Sequence, residues 1–89
     1  MILLVVYDPN AAGLQKTRLY DTLKKARHWM HYIRGCWMLV TDDEPEPWVD
    51  RISPYLGGSF CFVTRVNEEH QGWLPDKAWA WLARNAKYM

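Results

Sequence analysis

Two segments of this chain, Ile2–Tyr7 and Cys36–Val40, consist wholly of apolar and aromatic residues, and a third, Phe60–Val66, departs from that pattern only at Thr64 and Arg65. Short runs of this kind, rich in β-branched and aromatic side chains and bounded by turn residues, read as strands. Successive side chains of a strand point to opposite faces. Leu3, Val5 and Tyr7 therefore share one face, and Ile2, Leu4 and Val6 the other. Trp37 and Leu39 oppose Cys36, Met38 and Val40, and Phe60 and Phe62 oppose Cys61 and Val63. A sheet built from these strands is apolar on both sides. At about 25 cal/mol per Å² of apolar surface, leaving one side wet would forfeit several kcal/mol, a large share of a small domain's stability. Each side must meet helices, a second subunit or a ligand.

The rest of the chain supplies the cover. After Asp8-Pro9-Asn10, a turn signal, residues 16–26 carry Leu19, Leu23 and Ala26 on one helical stripe. His28–Ile33 and Cys36–Val40 flank Arg34-Gly35, which fits a tight hairpin or one bent strand. Asp42 to Pro47 is an acidic loop, and Pro47 suits a first helical turn. Trp48, Ile52 and Leu56 recur every four residues in a helix that Pro54 should shorten or distort before Gly57-Gly58 stops it. Phe60–Val66 is the fourth strand, residues 67–71 a polar loop, and residues 76–86 a last helix striped by Trp79, Leu82 and Ala86. The order β-α-β-β-α-β-α predicts a single α+β domain over residues 1–89, a ferredoxin-like βαββαβ antiparallel sheet with an extra C-terminal helix. Two helices cover one face only, so a dimer formed through the sheet is expected.

Composition narrows the function. The 89 residues include six Trp and five Tyr, more aromatic surface than a minimal core needs. Net charge is +1, which does not suit a protein that coats duplex DNA. The apolar start is interrupted by Asp8 and is too short for a signal segment or a membrane span; a cytoplasmic location without membrane contact is expected. Cys36 and Cys61 form no CxxC pair and read as reduced, buried thiols.

Candidate chemistry is sparse. Asp8, at the end of the first strand, either binds a hard divalent cation together with a symmetry mate or turns back on the amides of Asn10 or Ala11. His28 and His31 are three apart in a strand and point to opposite faces, so no metal site is expected. Trp29, Tyr32, Trp37 and Trp73 are candidates for stacking on nucleobases, and Arg18, Arg34 and Arg65 for holding phosphates. No nucleophile triad or P-loop is present, and no cofactor is implied.

The segments Val5-Val6-Tyr7-Asp8, Leu19-Tyr20, Trp29-Met30-His31-Tyr32, Cys36 to Thr41, Gly72-Trp73-Leu74-Pro75 and Ala78 to Leu82, taken in this order and spacing, resemble the small proteins labelled SinR-family. That group is similar to the small ferredoxin-like subunit of the CRISPR spacer-acquisition complex, a dimer with metal-dependent nuclease relatives, whose metal-binding aspartate Asp8 would match. The chain departs from that family where Gly35-Cys36-Trp37-Met38 replaces a strand ending in Glu. A weaker likeness is to phage anti-CBASS proteins that act as sponges for cyclic nucleotides. The resulting expectation is a non-catalytic nucleotide-binding homodimer that takes a cyclic dinucleotide near its interface. Tyr32, Trp37 and Trp73 would form pocket walls, His31, Arg34 and Arg65 would meet phosphate or base edges, and Tyr7 and Asp8 would line the strand end. The alternatives are a metal-dependent nuclease or nucleic-acid-binding protein working through paired Asp8 carboxylates, and a protein-interaction module.

Overall fold

The computed structural model describes residues 1–89. The elements in chain order are β1 (Ile2–Tyr7), α1 (Lys16–Leu23), β2 (His28–Ile33), β3 (Cys36–Val40), α2 (Pro45–Ile52), β4 (Cys61–Val66) and α3 (Asp76–Arg84), with single 3-10 turns at Ser53–Tyr55 and Ala86–Tyr88. The architecture is α+β: one four-stranded sheet in the order β2-β3-β1-β4, antiparallel at every junction. No helix is long and apolar enough to cross a membrane.

Arg34-Gly35 closes a hairpin rather than a bend: Ile33 and Cys36 pair directly across it, Gly35 takes φ 77°, and the Gly35 carbonyl accepts the Tyr7 amide of β1 at 3.0 Å. Helix α1 ends at Leu23, three residues short of the stripe. Lys25 and Ala26 donate to Thr22 and Leu23, a tightening from four-residue to three-residue bonds that turns the chain toward β2. Helix α2 starts at Pro45, not Pro47, since neither proline is asked for an amide in the first turn. Pro54 ends it as the distorted Ser53–Tyr55 turn. The last helix stops at Arg84, and the chain re-coils at Ala86–Tyr88.

Side-chain parity produces two cores. On one face Leu3, Val5, Tyr7, Trp37 and Leu39 meet Leu19 and Leu23 of α1 and Trp48 and Ile52 of α2. On the other, Ile2, Met30, Met38 and Val40 meet Ala78, Trp81 and Leu82 of α3. The last helix thus answers for the second face, but over only one end of it. The cross-strand row Ile33, Cys36, Val6 and Phe62 lies at the other end. None of its four residues is buried, and none belongs to either core or packs against it.

Candidate functional site

Burial removes two of the expected pocket residues. Tyr7 and Trp37 are core side chains, and the Trp37 indole donates to the Tyr7 hydroxyl at 3.3 Å. Burial and the contact with Tyr20 push the Tyr7 phenol up to about 12. Trp37 is stacked by His31 at 4.4 Å and met by Tyr20 and Trp29 at 5.1 and 5.3 Å, so no ring face is left for a nucleobase. His31 is half-buried in this cluster. Its Nε2 has no hydrogen-bond partner, and burial first, then Lys16 and Lys24, pull its pKa below the usual imidazole value.

The remaining expected residues do not converge. Asp8 makes the local turn: its Oδ1 accepts the Asn10 amide at 2.9 Å, and its Oδ2 lies 3.5 Å from the Ser59 hydroxyl. Arg34 donates to the Asn10 side chain from the neighbouring hairpin. Tyr32, 44% exposed, stands near that end on β2. Arg65 is opposite Leu3 and donates to the main-chain oxygen of Met89 at 3.1 Å. The four residue steps from Leu3 to Tyr7 put it roughly 13 Å along the sheet from the Arg34 end at about 3.3 Å per residue. Trp73 stands alone in the β4–α3 connection. His28 and His31 fall on opposite faces, His28 beside Tyr88 and His31 on Trp37, and no group of three or more His, Cys, Asp or Glu converges as a metal set.

A different groove gathers the chemistry that those residues were expected to supply. It lies where the start of β2 meets the end of α3, has a volume of about 480 Å³, and is lined by Arg27, His28, Arg84, Lys87 and Tyr88, with Trp29, Trp81 and Asn85 completing it. Three cations line it and no carboxylate does. Asn85 is buried and caps α3, its side chain donating to the Trp81 carbonyl at 2.9 Å. The Tyr88 amide donates to the Asn85 carbonyl at 2.9 Å, which fixes the aromatic ring at the rim. The Arg27 guanidinium lies 5.8 Å and the Lys87 ammonium 5.3 Å from that ring.

No family model, no curated protein and no solved structure matches this chain.

The groove therefore stands on its own physical chemistry. Cations at a helix C-terminus are favoured by the partial negative charge there, which accounts for Arg84 and Lys87 singly. It does not account for Arg27, the residue before β2, joining them. Arg27 is shared with Asp42, 3.5 Å away in an exposed ion pair, so Arg84 and Lys87 carry the surplus positive charge; two cations against the half charge of the helix end still leave a site that attracts an anion. The two other polar hollows differ. One carries its own ion pairs, Arg27–Asp42 at 3.5 Å and Arg51–Asp43 at 2.8 Å, and the other is wholly acidic or proline-lined. Apart from Trp29, already a stacking candidate, the groove's residues escaped the sequence reading because its two halves, 27–29 and 81–88, lie more than fifty positions apart. The available signal was the pair of basic-aromatic words Arg27-His28-Trp29 and Lys87-Tyr88.

Proposed function

We propose that the chain is a non-catalytic nucleotide-binding protein of the ferredoxin-like class, and that a small phosphodiester such as a cyclic dinucleotide occupies the groove between β2 and α3. The observation that carries this reading is the convergence of Arg84 and Lys87, neither paired with a carboxylate, and of Arg27, shared with Asp42 in an exposed ion pair, beside the Tyr88 ring. Guanidinium forks pair with phosphate oxygens in a fixed geometry. An aromatic rim offers stacking worth about 1–3 kcal/mol per base. The volume lies within the usual range for small-ligand sites. The class assignment is supported by the strand order β2-β3-β1-β4 with α1 and α2 together on one face, the arrangement a split βαβ repeat generates. The resemblance to cyclic-nucleotide sponges adds sequestration of a signal, and with it a cytoplasmic place of action.

Calorimetric titration with mononucleotides and cyclic dinucleotides tests the reading. Binding is expected for at least one phosphodiester, with the ligand recovered chemically intact after the protein is heated. Replacing Arg84 or Lys87 by Ala should weaken it by roughly tenfold or more, the loss expected when a charge-assisted bond worth about 1.5–3 kcal/mol is removed. Failure to bind any member of a broad nucleotide panel rejects the proposal.

A further inference from the structure

The row Ile33, Cys36, Val6 and Phe62 runs across all four strands on the face that α3 half covers. Phe60 stands two residues before Phe62 on the same strand path, outside both cores. Leu4 and Met38 of the next row on this face, and Val66 one row beyond them, border an apolar hollow of about 280 Å³ shared with Trp73, Trp79 and Leu82. Trp73 is 99% exposed, and Phe60 and Phe62 are 60% and 62% exposed. No charged side chain belongs to this row. At about 150–250 Å² for each large aromatic side chain, the three rings alone leave roughly 400 Å² of apolar surface in water. That is about half of what one partner contributes to a standard interface of about 800 Å² a side.

From this we infer that the uncovered half of the sheet is the seat of a second copy of the chain, packed face to face about a two-fold axis. The shape of the face favours this occupant. Helix α3 stands on one end of the sheet and leaves a step, with Trp73 at the step beside Trp79 and Leu82. Two sheets pack about 10 Å apart, close to the interaxial distance of a packed layer. A second sheet laid on the bare half would therefore sit level with α3, and the two-fold operation would place the partner's step against this one. Each protomer carries a net charge of only +1, so two copies meet without appreciable repulsion. The groove of the proposed function lies at the opposite, α3-covered end, and the dimer stands or falls independently of it.

Native mass spectrometry and sedimentation velocity on the intact chain, from nanomolar to high-micromolar concentration, read the result directly. A concentration-dependent dimer is expected. Trp73→Ala should weaken it roughly thirtyfold, as for a central aromatic hot spot, and Phe62→Lys should leave monomer. Both side chains are exposed, so circular dichroism of the two variants should match the parent, whereas Arg18→Ala, exposed on α1 over the other face, should leave the dimer unchanged. A chain that stays monomeric at high-micromolar concentration overturns the inference. So does a dimer that both Phe62→Lys and Trp73→Ala leave intact, since its interface must then lie elsewhere.

Discussion

Trp37 is held on one side by the His31 ring, at its edges by Tyr20 and Trp29, and at its nitrogen by the Tyr7 hydroxyl. Its residue-scale role is therefore cohesion. Trp37→Ala should lower unfolding free energy by about 3–5 kcal/mol, read from the urea midpoint, and should leave nucleotide affinity unchanged so long as the variant is measured folded. His31, its stacking partner, makes stability depend on pH. Its folded-state pKa is depressed by burial and by the ammonium groups of Lys16 and Lys24. The unfolded chain takes up a proton near the ordinary value of 6.5 that the folded chain resists. This contribution is fully present above that pH, is lost as pH falls through the lower folded value, and then levels off. Urea midpoints measured across mildly acidic pH should show that decline, and His31→Gln should flatten it. Persistence of the full decline in the variant would assign it to another group.

At the scale of elements, the close approach of two loops fixes where α1 and β4 begin. Gly57 takes φ 64°, and a Cβ there would stand 2.6 Å from the Gly13 carbonyl carbon and 2.7 Å from its Cα. Beside it Leu14 and Leu56 form an isolated bridge. Gly58 has φ 74° but open space around it. Ala at either position bears the left-handed penalty of about 1–2 kcal/mol. Only at position 57 must two backbones also separate. Gly57→Ala should thus destabilise clearly more than Gly58→Ala in parallel denaturation curves, and equal losses would mean the loops yield freely. The sequence announces such a turn through its glycine pair but not which glycine is pressed against another loop, because that depends on a neighbour more than forty residues away. The strands illustrate the same division. The bounds of β1 and β3 follow directly from unbroken apolar runs, since nothing but a strand disposes of such runs so briefly. The ends of α1 and α3 do not follow, because they are set by where the chain must next go. The site was legible as a kind of chemistry, arginine with aromatic rings. Its location was not, since Arg27 and Tyr88 meet only once α3 has crossed the sheet.

At the scale of the whole molecule, the sheet separates a larger core closed by two helices from a smaller one closed by α3 alone. The groove spans the seam between α3 and the edge strand β2. A ligand seated there touches Arg27 and His28 on one side and Arg84, Lys87 and Tyr88 on the other, and so opposes any opening that lifts α3 from the sheet. Binding only to the closed form stabilises by mass action, by about 2.7 kcal/mol when free ligand is a hundred times its dissociation constant. Local openings of a terminal helix are the kind that amide exchange detects. With a bound phosphodiester, exchange should slow at the amides of residues 78–88 and at the start of β2, while Asp8, Asn10 and Arg34 at the far end keep their rates apart from the global gain. Slowed exchange confined to that far end, with α3 unchanged, would move the ligand to the strand end of Asp8 and leave the three cations of the groove to the service of the helix terminus alone.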